Sequence, residues 1–73
     1  MTNEQKYLID CVVDDVARYL IEDRNLSITE ALDIVFNSQF YEKLTDLQTG
    51  MYYQSGPYNY GYLLHELKYG KVA

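Results

Sequence analysis

Tryptophan is missing from this 73-residue chain, and cysteine, proline and histidine occur once each. A lone cysteine, Cys11, leaves no internal disulfide, which fits a reducing compartment. One histidine and one cysteine fall short of the four ligands of a structural zinc site, so neither a metal nor a cofactor is expected. Basic residues are scarce too: six Lys and Arg stand against eleven Asp and Glu, for a formal charge of −5. Without a basic patch, neither a nucleic-acid backbone nor an anionic membrane surface is a natural partner. The apolar runs are a few residues long, far short of the ~20 that a spanning helix needs. The N-terminus, MTNEQKYLIDC, has no basic segment ahead of an apolar one, so no secretory leader is expected. Together these absences make a cytoplasmic protein the expectation.

What is present reads as globular: 48% of the residues are apolar and 23% charged. The length predicts one domain, 1–73, that buries only ~60–65% of its unfolded surface and must use its core efficiently. With only Phe36 and Phe40 beside nine tyrosines, the tyrosines supply most of the aromatic bulk.

Apolar periodicity predicts an all-α fold, a small bundle of about four helices at roughly 3–23, 28–37, 39–47 and 57–69, with an extended aromatic connection at 48–56. In the first helix Leu8, Ile9, Val12, Val13, Val16, Tyr19 and Leu20 form one broad apolar face. Asp10, Asp14, Arg18 and Glu22 form an i,i+4 ladder on the other side, read as a solvated face with pairs worth ~0.3 kcal/mol each. Tyr7, Cys11 and Ile21 share that polar side, so either a later segment or a second molecule must cover them. Ser27 and Glu30 have capping-box spacing, and Leu26 sits where a hydrophobic staple begins. Ile28, Ala31, Leu32, Val35 and Phe36 then form a face, Ser38 can cap the third helix, and Phe40, Tyr41, Leu44 and Leu47 mark its apolar side. Pro57 suits the first turn of the last helix, and Gly70 its end.

Five of the nine tyrosines, three of the four glycines and the proline fall within Gly50–Leu67. By helical phase, Tyr60, Leu63, Leu64 and Leu67 form a core stripe, while Tyr58, Tyr62, His65 and Tyr69 line the opposite side. Three occupants suit that second stripe: the Met51–Tyr53 segment folded back over it, a protein, or a small ligand. The candidate interface comprises Tyr52, Tyr53, Tyr58, Tyr62, His65 and Tyr69, with Tyr7, Cys11 and Ile21 from the first helix. A homodimer is expected, because two-fold dimers are the commonest oligomers and small cores gain from association.

No catalytic residues emerge. His65 and Glu66 point to different sides of one helix, and Asp14 and Asp15 diverge by about 100°. The glycines match neither a dinucleotide loop nor a P-loop. Gly61, costing ~1 kcal/mol relative to Ala inside a helix, is expected to pack closely against another backbone.

The run SITEALDIVFNSQFYEKLTDLQTGMYYQSGPYNYGYLLHEL, Leu26 to Leu67 with its flank, resembles a family of small uncharacterised bacterial proteins, a domain of unknown function. The resemblance implies two helices, a "TG–aromatic–QS–P–aromatic" connection and a final helix, and it brings no catalytic residues. It also implies an antitoxin-like or regulatory accessory role. The leading expectation is therefore a non-enzymatic protein-interaction module that self-associates or binds a partner protein. A helix-turn-helix DNA binder is disfavoured, because Glu42 and Asp46 accompany Lys43 on the helix that would enter the groove. A small-ligand binder would need a pocket lined by Tyr52, Tyr58 and Tyr62.

Overall fold

Each helix starts where a side chain satisfies the backbone N–H groups that the first turn leaves without partners. The computed structural model describes residues 2–70, and among them there are four α-helices and no strand. The first helix, α1 (Asn3–Arg24), begins in a capping box: Thr2 Oγ1 accepts from the Gln5 N–H, and Gln5 Oε1 accepts from the Thr2 N–H. It ends at Asn25, whose φ of 57° is a left-handed conformation that asparagine tolerates better than most residues. The second, α2 (Ile28–Phe36), carries the expected box between Ser27 and Glu30. The backbone N–H of Ser27, given to the Glu30 carboxylate, holds that carboxyl below its ordinary pKa. Ser38 caps α3 (Gln39–Thr45), and Ser55 caps α4 (Gly56–Tyr69), which has Pro57 in its first turn and stops at Gly70.

The connection expected to be extended is instead coiled. Two 3₁₀ turns, Leu47–Thr49 and Met51–Tyr53, meet at Gly50, whose φ of 67° suits a residue without a Cβ. The third helix also stops short of the expected 47. The Thr45 hydroxyl bonds back to the carbonyls of Tyr41 and Glu42, and Asp46 caps the following turn through the Gln48 N–H. Thr49 then fastens the coil, donating to the carbonyls of Lys43 and Asp46 and accepting from the Met51 N–H.

The long helix α1 is the spine, packed against α2, α4 and the Met51–Tyr53 turn, while α3 packs on α4 and that same turn. Its buried face is Ile9, Val12, Val13, Val16, Ala17 and Leu20. Leu8 and Tyr19, expected in the same face, are half-buried at its edge. Ala31, Val35, Phe40, Leu44 and Leu63 complete the fully enclosed core. Two residues of the expected apolar face of α2 stand outside it: Ile28 is 65% exposed and Phe36 49%. The face of α2 that meets α1 centres on Ala31 and Val35, where the small Ala31 lets the backbones approach, and Ile28 and Phe36 lie at its two ends.

Candidate interaction surface

The inner face of α4 is more polar than a leucine stripe would be. Its buried residues are Gly56, Asn59, Tyr60, Leu63 and Glu66. Leu64 is half-buried, and Leu67, expected in the core, is 38% exposed near the helix end. Glu66 instead reaches the start of α3. Its two carboxylate oxygens accept from the backbone N–H groups of Gln39 (2.9 Å) and Phe40 (2.8 Å). Ser38 Oγ takes the Tyr41 N–H at 3.1 Å, so the first three donors of α3 are all satisfied. Two turns earlier, the fully buried Asn59 amide donates to the carbonyls of Met51, Gln54 and Ser55. These two polar side chains thereby bind the coiled connection and α3 to the last helix. Tyr60 donates its hydroxyl to Asp23 at 2.7 Å and lies 5.2 Å, ring to ring, from Tyr19 of α1. Burial and the Asp23 carboxylate push the Tyr60 phenol up to about 12.

This inner arrangement decides what is left outside. The Met51–Tyr53 turn packs on α1 and α3 rather than folding over the outer side of α4. Tyr52 is buried, accepting a hydrogen bond from Gln5 Nε2 at 3.3 Å, and so belongs to the core. Tyr53 stands 68% exposed beside it, with ring centroids 4.3 Å apart. The neighbouring Tyr52 hydroxyl, and then the charge of Glu4, hold the Tyr53 phenol above its ordinary pKa. On the outer side of α4, Tyr62 is half-buried against Phe40, ring centroids 6.1 Å apart. Tyr58, His65 and Tyr69 face outward, with His65 and Tyr69 4.7 Å apart and the Lys68 ammonium 5.3 Å from the Tyr69 ring centre. Gly61 lies on the same outer side, and a Cβ there would meet nothing within 4 Å, so close packing does not explain it. The close approach is at Gly56, where a Cβ would come within 2.9–3.0 Å of the Asp15 side chain.

On α1, Tyr7 is 67% exposed and Cys11 half-buried. Hydrogen bonding with the Cys11 thiol, one turn on, holds the Tyr7 phenol above its ordinary pKa. Ile21, expected to be covered by a later segment or a second molecule, is partly covered by α2. It lines an open cleft of about 310 Å³ between the two helices, together with Asp14, Ala17, Arg18, Ile28 and Leu32. None of the candidate tyrosines lines this cleft. The charged ladder along α1 is exposed as expected, but the ion pair found among the described residues is Arg18–Asp15 at 3.4 Å, an i,i+3 contact. Ile28, Leu32, Asp14 and Arg18 were missed as candidate surface residues. A recognisable signal existed for two of them: Tyr7, Cys11, Asp14, Arg18 and Ile21 are spaced 4, 3, 4 and 3, a heptad seam.

The candidate residues thus divide over separate surfaces, with Tyr7, Cys11 and Ile21 along α1 and Tyr58, His65 and Tyr69 along α4. No helix of the described residues is long and apolar enough to cross a membrane. Comparisons with protein-family models, curated proteins and solved structures give no match for this chain.

Proposed function

We propose that this chain is a non-enzymatic protein-interaction module of the cytoplasm, associating with a second copy or with a partner protein. The observation that carries the reading is the exposure of large apolar side chains on a well-compacted fold. Tyr7, Tyr53, Tyr58, Tyr69 and Ile28 are each more than half exposed. Looseness does not account for this, since the radius of gyration of 11.6 Å is close to the ~11.2 Å expected for this length. Tyrosine is the side chain most suited to such surfaces, presenting a large ring with little rotamer entropy to lose and a hydroxyl that remains satisfied in water. The resemblance over Leu26–Leu67 supports the same direction, an accessory or antitoxin-like partner role.

Sedimentation equilibrium over ~10–500 µM, a range matched to weak specific association, tests the self-associating form. The expected result is a mass rising towards that of a dimer. A monomer throughout, together with an immobilised chain that retains no protein in a salt-resistant, stoichiometric complex, overturns the reading.

A further inference from the structure

The heptad seam of α1 is more than a row of leftover side chains. It has apolar groups at its ends, Tyr7 and Cys11 on one side and Ile21 on the other, and opposite charges, Asp14 and Arg18, at its centre. Tyr7, Asp14 and Arg18 are exposed on the side away from the Ile9–Val16 core face, and Cys11 and Ile21 are half-buried between them. Such a pattern is self-complementary in one way only. In a parallel pair Asp14 would meet Asp14 and Arg18 would meet Arg18. In an antiparallel pair with its two-fold axis level with residue 16, Asp14 meets the partner's Arg18 and Arg18 meets the partner's Asp14. The same register sets Cys11 against the partner's Ile21 and brings Tyr7 level with the partner's Asn25. The α1 side of the partner's cleft, Asp14 to Ile21, is then level with Arg18 to Cys11, and Tyr7 lies beyond its end.

The flanks agree with this register. Asp10 and Arg24 are both exposed and both lie on the same flank of the seam, so Asp10 faces the partner's Arg24. One like-charge meeting remains, Asp15 with the partner's Asp15 across the axis. Arg18, 3.4 Å from Asp15 of its own chain, is shared between that carboxylate and the partner's Asp14, which leaves the like-charge meeting partly offset. The tyrosine side of α4 offers no such opposite-charge pair, since Lys68 stands there while Glu66, the acid of that helix, is buried.

We infer that two copies of this chain pair antiparallel through α1, along Tyr7–Cys11–Asp14–Arg18–Ile21, with Asp14 of each copy against Arg18 of the other. The inference rests on the self-associating form of the function proposed above and specifies its geometry.

Disulfide trapping tests the register directly. In the paired state the two native Cys11 residues stand ten residues of helix apart along the axis, about 15 Å at 1.5 Å per residue. A disulfide needs Cα atoms within ~7 Å, so the parent chain is not trapped as a covalent dimer by mild oxidation. Ile21→Cys places a second thiol opposite the partner's Cys11, and oxidation is expected to give a covalent dimer in high yield. Ile21→Cys combined with Cys11→Ser is expected to give none. Charge reversal provides an independent arm: Asp14→Arg and Arg18→Asp each weaken the dimer about tenfold or more, and the double reversal restores it to within about threefold. Circular dichroism of each variant establishes that it is folded. A parent that dimerises, with no trapping by Ile21→Cys and unchanged Kd in both single reversals, overturns this geometry while self-association stands. A parent that stays monomeric across the concentration range overturns both.

Discussion

Replacing Glu66 by Gln should destabilise this protein far more than a change of one atom on a small helical surface ordinarily would. The carboxylate is 94% removed from solvent and accepts two backbone N–H bonds, at 2.8 and 2.9 Å, from a segment 26 and 27 residues away in sequence. A carboxamide of the same shape keeps one acceptor oxygen but turns an NH2 donor towards the second N–H. One of the two bonds is lost and the other is no longer charge-assisted. Hydrogen bonds to a charged group contribute ~1.5–3 kcal/mol, so a loss of about 2 kcal/mol is expected for Gln. For Ala, with two buried donors left unsatisfied, about 3–4 kcal/mol is expected. Against a total stability of ~4–11 kcal/mol for a chain of 73 residues, either change is large. An unfolding entropy of ~2.1 cal/mol/K per residue converts each kcal/mol into roughly 6–7 °C, so the Gln variant should melt about 13 °C lower. Thermal unfolding followed by circular dichroism reads this out. A double-mutant cycle with Ser38→Ala should show coupling, because Ser38 and Glu66 satisfy neighbouring donors of one helical turn. A Gln variant melting within ~3 °C of the parent would refute the argument, since the cap would then contribute no more than an exposed pair.

Two glycines in α4 should respond to alanine with opposite signs. Gly61→Ala, on an open face, is expected to stabilise by ~0.5–1 kcal/mol, whereas Gly56→Ala presses on Asp15 and is expected to cost about 1–2 kcal/mol in urea unfolding. Tyr60 should make stability fall with pH in the alkaline range. Its phenol is held up to about 12 in the fold against an ordinary value of 10.0, so the unfolded chain releases that proton first. The contribution is complete below pH 10 and is lost as pH rises to about 12. The full shift corresponds to ~2.7 kcal/mol, and screening at the solvent-facing hydroxyl reduces the expected loss to about 1 kcal/mol. Tyr60→Phe should remove that part of the slope between pH 9 and 11.5; identical slopes for the two proteins would contradict it.

The helices were legible because their signals are local. Ser27 with Glu30, Ser38, Ser55 with Pro57, and Gly70 each act within one turn of where they stand, and the observed boundaries follow them to within two residues. The same physics made the Gly50 region hard to read. A pair of three-residue 3₁₀ turns has no periodicity to detect, and their stability comes from Thr49 and from Asn59, eight residues beyond Met51. Glu66 was illegible as a core residue because its partners are the backbone of another helix, which no side-chain pattern records. Phase placed it away from His65 correctly but gave no reason for a carboxylate to face inward. The same phase puts Leu67 in the core, yet it lies in the last turn of α4, where burial depends on where neighbouring helices stop. On α1, Tyr7, Cys11 and Ile21 stood out by rotation alone. Asp14 and Arg18 read as a solvated ladder because an i,i+4 ladder and a heptad seam share residues, and charge favours the ladder.

Asn59 and Glu66 also separate stability from association. They hold the connection and α3 from the inner side of α4, which leaves Tyr58 and Tyr69 exposed on the outer side, their side chains making no hydrogen bond among the described residues. Tyr69 touches only His65 and Lys68 of its own helix among the aromatic and cationic contacts of the described residues. Replacing both tyrosines by Ala should therefore change stability by less than about 1 kcal/mol, or ~6 °C in melting temperature. If the α1 seam holds the dimer, the same variant should also keep the parent's Kd. A tenfold weaker Kd with an unchanged melting temperature would move the interface from α1 to the outer side of α4. A fall of more than ~10 °C would show that these rings stabilise the monomer, and their exposure would no longer argue for a partner.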